Sequence, residues 1–303
     1  MNRKATAAVL GAGSLWGIIS IFVRQLNAMG LTALQLGGGR VLIGAVILFL
    51  WLGLAHRELL KIRLRDLWYF IGTGIISLAL FNWCYFTTIE LSQASIAVVL
   101  LYTSPIFIMV LSAIFFRERI NRRKVMALVM TFLGCVLVAG LLGGTYTLTP
   151  KVLLLGLGSG LFYGLYSIFG SVALRRYDTL TVTAYTFLFA CLGTLPMCGV
   201  GSMVEKLAAQ PVGILWYLGI SVLCTVAPYL LYTWGLSRMS NGRAAILATI
   251  EPLVGALIGI LLYGEPANPM KLAGMALIFG SVVVLNLGGR KEEPQELPAK
   301  SQP

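Results

Sequence analysis

Long apolar runs separated by brief polar ones make up nearly all of this chain. An α-helix needs about 20 mostly apolar residues to cross the hydrocarbon core of a bilayer. Ten such stretches follow one another, at 5–25, 32–54, 67–89, 94–116, 125–142, 151–173, 179–200, 213–236, 242–263 and 270–287. The pattern predicts an all-α integral membrane protein with ten transmembrane helices. After Leu287 the chain turns polar, and the Pro-containing tail to Pro303 has too little apolar surface to order itself. The first run follows Met1-Asn2-Arg3-Lys4, as a cleaved signal would. It is long for such a signal, and Leu26-Asn27-Ala28 is a poor small-x-small cleavage site, so it reads as a permanent span.

Composition agrees with the pattern. Hydrophobic residues are 58% of the chain and Asp, Glu, Lys and Arg together 11%, against about 45–50% and about 25% in soluble domains. A soluble particle could not cover itself with so few charges, whereas lipid replaces water around a multispan protein. Soluble enzymes, disulfide scaffolds, collagens and disordered chains are excluded. The net charge of +12 is not a nucleic-acid footprint, because the basic residues fall in short gaps between apolar runs and not on one exposed face. With the N-terminus inside, Arg57 to Arg65, Arg117 to Lys124, Arg175, Arg176, Arg238, Arg243 and the basic residues of both termini are cytoplasmic, while Arg24, Lys151, Lys206 and Lys271 lie outside. That bias places both termini in the cytoplasm, and the expected location is a prokaryotic inner membrane, crossed many times. The five cysteines lie in apolar segments without a C-x-x-C pair, and His56 is the one histidine. A metal site or a cofactor is therefore not expected.

Shifted by 147 residues, the chain resembles itself. Gly11-x-Gly13-x-x-Trp16-Gly17-x-x-Ser20-Ile21-Phe22 meets Gly158-x-Gly160-x-x-Tyr163-Gly164-x-x-Ser167-Ile168-Phe169. At the same shift Gly72 meets Gly219, Tyr85 meets Tyr232, Pro105 meets Pro252, Glu118 meets Glu265 and Lys124 meets Lys271. The repeats divide the chain into 1–145, 146–288 and a disordered cytoplasmic tail, 289–303. Each half holds five spans, an odd number, so the second enters the membrane from the opposite side. Arg117 to Lys124 carries five basic residues and its counterpart Gly264 to Lys271 one, as inversion requires. Two inverted five-helix repeats are a transporter architecture.

The ten spans as five plus five, the Gly-rich opening with Trp16-Gly17, the Pro105 and Pro252 segments, and Glu118 and Glu265 ending those helices resemble the EamA-type branch of the drug/metabolite transporter superfamily. The resemblance runs from residue 5 to about 287. It implies alternating-access transport, usually export, of amino acids, metabolites or small amphipathic compounds. It also implies a central cavity lined by spans one to four and six to nine. Spans five and ten would be peripheral, where a second copy could pair as a homodimer.

Two charges lie near mid-membrane, where a charge costs about 2.5–3.5 kcal/mol and usually faces a cavity or a partner. Arg40 is about 12 Å into span two and Glu251 about 14 Å into span nine, at 1.5 Å per residue. Arg40 would bind an anionic group and Glu251 a cationic group or a coupling proton; alternatively they pair with each other and hold the halves in register. Pro105 and Pro252 each remove a helix N–H and free a carbonyl, which makes a ligand-binding break or a plain kink. Trp16, Tyr163, Asn82, Tyr85, Tyr102, Tyr232 and Trp234 are the candidate lining of a substrate pocket, against the alternative of ordinary helix packing. Trp51, Trp68 and Trp216 are near span ends and read as interfacial anchors. The glycine runs allow close helix approach.

The expected function is secondary transport of small organic solutes across a lipid bilayer, driven by an ion gradient, of protons for example, or a solute gradient. An embedded enzyme would need a nucleophile–base pair or a metal-ligand set that the spans lack. A channel would carry polar faces along several spans, whereas the polar positions here gather at mid-depth.

Overall fold

The structure, a computed structural model, describes residues 2–141 and 148–287. Nine of its helices are long and apolar enough to cross a membrane: α1 (Arg3–Ala28), α2 (Ala33–Ala55), α3 (Leu64–Leu91), α4 (Ala94–Phe116), α6 (Pro150–Ala173), α7 (Thr179–Met197), α9 (Val212–Leu236), α10 (Asn241–Tyr263) and α11 (Pro269–Asn286). Two shorter helices complete the set, α5 (Arg122–Val138) and α8 (Val200–Ala209). No strand occurs among the described residues. The expected fifth span is the one that departs from the sequence reading. Its helix begins inside the basic segment, at Arg122, and ends at Val138, which leaves a shorter apolar length. The proposed tail lies outside the described residues.

Polar caps set the helix boundaries. Thr32 and Gln35 form a reciprocal capping box at the start of α2. Asn121 and Asn268, equivalent under the 147-residue shift, accept hydrogen bonds from the backbone of Lys124 and Lys271 at the starts of α5 and α11. Arg117 and Gly264, also equivalent, end α4 and α10 in the left-handed conformation, with φ of 55° and 65°. Glycine adopts that geometry freely and arginine does not.

Each half packs against the other in matching pairs. α1 lies on α9 and α10, and its counterpart α6 lies on α3 and α4; α2 pairs with α7, and α5 with α11. The α5–α11 crossing is close because a Cβ on Gly134 would meet the Gly274 carbonyl oxygen at 2.8 Å, and one on Gly274 would meet that of Gly134 at 2.7 Å. A buried Thr131–Ser281 hydrogen bond of 2.8 Å joins the same two helices. π-helical segments occur at equivalent places in α3 (Ile71–Ala79) and α9 (Val222–Val226).

The end of the bundle that holds the start of α1 is called the N-face here, and the other the far face. At the N-face, buried Asp66 accepts from Arg176 Nη1 (3.1 Å) and the Tyr177 hydroxyl (2.8 Å). Thr181 and Tyr185 donate to the carbonyls of Leu59 and Leu60 there. At the far face, Lys206 Nζ donates to the Gly30 carbonyl at 2.7 Å and the Tyr217 hydroxyl donates to the Gln35 carbonyl.

Candidate functional site

Helices α4 and α10 are each broken at mid-length. α4 is helical over Ala94–Leu101 and again from Ser104, and α10 over Asn241–Ala248 and again from Glu251. Pro105 and Pro252 occupy the first turn of the second segment in each. A proline fits there because its missing N–H belongs to the unsatisfied set of a helix start. Glu251 opens its segment, where the exposed N–H groups favour a carboxylate; its shift-mate Ser104 opens the other.

Glycines bring the neighbouring helices onto these breaks. A Cβ on Gly13 of α1 would meet the Ala248 carbonyl oxygen at 2.5 Å, and one on Gly17 the Glu251 carbonyl oxygen at 2.8 Å. In α6, a Cβ on Gly160 would meet Thr103 Oγ1 at 2.6 Å and the Leu101 carbonyl oxygen at 3.3 Å, and one on Gly164 the Ser104 carbonyl oxygen at 3.4 Å. Gly13 and Gly160, Gly17 and Gly164, Ala248 and Leu101, and Glu251 and Ser104 are all pairs under the same shift.

Between the breaks lies a cavity of about 510 Å³, lined from α1, α2, α3, α4, α6, α9 and α10. It contains eight of the nine expected pocket residues: Trp16, Arg40, Asn82, Tyr85, Tyr102, Tyr163, Tyr232 and Glu251. Pro105 also lines it, whereas Pro252 is not part of the lining. Arg40 and Glu251 are the charged residues among the described lining. No ion pair within 4 Å joins them.

Arg40 Nε, Asn82 Oδ1 and Ser20 Oγ are buried at this cavity without a hydrogen-bond partner. Buried polar groups are normally satisfied, so three orphans on one wall point to a ligand. The rest of the wall is aromatic. Trp16 packs on Tyr229 and Tyr232 with ring centroids 5.4 and 5.5 Å apart, and Phe81 packs on Tyr163 at 5.4 Å. Ser167 and the Tyr232 hydroxyl share a 2.8 Å hydrogen bond that fixes that ring. The volume falls in the range of small-molecule sites, about 300–1,000 Å³, and the mixture of rings with few placed polar groups is typical of them.

Trp234 departs from the expectation. Two residues along a helix turn the side chain about 200° away from Tyr232. It lies in a groove at the N-face with Lys4 and Tyr177, under the Arg238 guanidinium, which sits 4.0 Å from the ring centroid. The expected contribution of span seven also fails, because α7 lies behind the wall. Its Phe187, the shift-mate of Arg40, is wholly buried against Tyr229, and Thr186 bonds Thr73 of α3 at 2.6 Å. The sequence reading missed Ser20, Tyr229 and Phe81, yet Ser20 is one turn from Trp16 and Tyr229 one turn from Tyr232.

Among the described residues, three or more His, Cys, Asp or Glu side chains do not gather as metal ligands, and all five cysteines are free and buried.

A lipid-length helical bundle around an aromatic cavity with two opposite charges defines a membrane transport protein. The chain belongs to the EamA-like transporter family, whose model matches residues 3–140 and again 150–287. It is similar to an uncharacterized transporter of Archaeoglobus fulgidus, 28% identical, over 93% of this chain and 96% of that one. It is also similar to the uncharacterized transporter YwfM of Bacillus subtilis, 24% identical over 95% of each chain. The uncharacterized inner membrane transporter YicL of Salmonella typhimurium is 24% identical, over 96% of this chain and 97% of that one. One solved crystal structure shares the fold with a TM-score of 0.79 at 18% identity, over 95% of this chain and 98% of the other.

Proposed function

We propose that this protein is a secondary transporter that exports small organic solutes with both a carboxylate and an amine, such as amino acids, across a prokaryotic inner membrane. Arg40 takes the anionic group, Glu251 the cationic group or a coupling proton, and the aromatic wall takes the apolar remainder. The carrying observation is that Arg40, from the first half, and Glu251, from the second, line one cavity unpaired beside two further orphaned polar atoms. The same reading takes the nine long helices, with the shorter α5 as a tenth, as crossings in two inverted repeats, 1–145 and 146–288, with both termini cytoplasmic. Matched contacts of shift-equivalent glycines across the halves support it. Exchange of conformation between such halves gives alternating access. Pairing of two copies would use the outer, lipid-side faces of α5 and α11, which carry exposed Val129, Leu133, Phe279 and Val283.

The test is transport by the purified protein in proteoliposomes, with labelled amino acids of aromatic, aliphatic and charged side chains, with and without a pH gradient. Saturable counterflow of an amino acid is expected, stronger for aromatic and aliphatic members. Flux of inorganic ions without saturation, or no flux of any zwitterion, overturns the reading.

A further inference from the structure

The lining of the cavity runs to the far face and stops short of the N-face, where a separate groove lies, and the residues that distinguish its two ends are shift-mates. Asn27, Ala33, Ile89 and Ala94 line it towards the far face, and Asn27 and Ala94 are exposed there. Their mates at the N-face are Leu174, Leu180, Leu236 and Asn241, of which Leu174, Leu236 and Asn241 are buried and Leu180 is partly buried beside the separate N-face groove.

One carboxylate ties the shut end together. Glu118, just past the end of α4, accepts hydrogen bonds from the backbone N–H groups of Asn241 (2.7 Å) and Gly242 (3.4 Å), the first residues of α10. Lys124 Nζ donates to Ser240 Oγ at 3.1 Å and lies 3.9 Å from Glu118. The glutamate thus caps a helix of the other half with charge of the favoured sign. At the opposite end its mate Glu265 leaves from the same kind of turn. Glu118 N–H donates to the Ser112 carbonyl and Glu265 N–H to that of Gly259, again a matched pair. There, however, the Glu265 carboxylate folds onto Lys271 at 2.7 Å and is 50% exposed, against 9% for Glu118. The start of α4 that it would cap, by analogy Ala94 and Ser95, has no side-chain cap from Gln93.

We infer that Glu118 and Glu265 are alternating locks of the transport cycle. In the state seen here Glu118 holds the N-face shut. In the mirror state Glu265 caps Ala94 and Ser95 while Lys271 moves to Gln93, and Glu118 withdraws to Lys124. The inference rests on the inverted-repeat, alternating-access reading. The two states then exchange one capped helix start for another, so neither is favoured by the locks alone and bound solute can tip the balance.

The test uses the full-length protein in membrane vesicles, with its five cysteines replaced. Ile89→Cys reports the far mouth and Leu236→Cys, buried here, the N-face mouth, each labelled by a membrane-impermeant maleimide in vesicles whose orientation exposes that face. Glu118→Ala should raise labelling at position 236 and lower it at position 89, changing their ratio about tenfold, as loss of a charge-assisted helix cap allows. Glu265→Ala should change the ratio in the opposite direction. As a control against misfolding, the pair Glu118→Cys with Asn241→Cys should cross-link on oxidation, and so should Glu265→Cys with Ala94→Cys. Shifts of the same sign, no shift, or a 265–94 pair that never cross-links while the 118–241 pair does, overturns the lock. Failure of the underlying reading looks different: position 236 would then stay unlabelled in the otherwise unaltered transporter during active flux.

Discussion

Arg40 and Glu251 face the same space without touching, and that separation decides what their removal does. Breaking a buried ion pair strands the surviving charge and costs about 3–5 kcal/mol. Here no ion pair within 4 Å would be broken. Arg40→Ala and Glu251→Gln should therefore each lower proteoliposome flux by at least about tenfold, the effect of roughly 1.4 kcal/mol of lost solute binding. The melting temperature in detergent should stay near the parent value, and the double variant should remain inactive. Restored flux in the double variant, or large losses of melting temperature in the single ones, would return both residues to a structural role. Proton coupling through Glu251 adds that Glu251→Gln loses the response to a pH gradient. These two positions were legible in the sequence because a charge at mid-membrane is costly enough to be rare. Trp234 was misplaced because aromatics carry no such penalty and occupy every face of a membrane helix. Only the turn of the helix, which sends Tyr232 inward and Trp234 to the N-face groove, separates them.

At the scale of elements, the breaks in α4 and α10 hold their shape because a glycine from the other half sits on each. The backbone carbonyl under Gly13 cannot swing aside as a flexible side chain would. Gly13→Ala puts a methyl 2.5 Å from the Ala248 oxygen, and Gly160→Ala puts one 2.6 Å from Thr103 Oγ1 and 3.0 Å from the Leu100 oxygen. Each should cost about 1–3 kcal/mol, the usual penalty of forced overpacking. Gly11→Ala, whose methyl would find Leu231 at an ordinary 3.7 Å, should be neutral. Thermal unfolding in detergent ranks the three, and a Gly11→Ala as damaging as Gly13→Ala would show that helix position rather than contact sets the cost. The breaks were readable from Pro105 and Pro252, since a proline within an apolar run interrupts the helix wherever it lies. Helix α8 was not read. Val200, Met203, Val204 and Leu207 have helical spacing, but ten residues with a single buried side chain make too short a pattern to separate from a loop.

For the whole molecule, the repeat is legible because equivalent residues meet equivalent partners across the halves. The open mouth is not legible, because both halves carry the same turn, glutamate and lysine, and only the tertiary arrangement decides which end is joined. Orientation can be tested without knowing the solute. The five basic residues from Arg117 to Lys124 resist translocation, whereas Gly264 to Lys271 carries one. If the halves are inverted, the two connections lie on opposite sides of the membrane although each follows a broken helix and precedes the next one of its half. Arg119→Cys and Ala267→Cys in the cysteine-replaced protein separate the cases. In intact cells an impermeant maleimide should label position 267 and leave position 119 unlabelled until the membrane is opened. Positions 119 and 267 labelled from the same side would remove the inversion. The exchange of Glu118 for Glu265 would then have no symmetry to stand on, and the cavity would need another route to its second face.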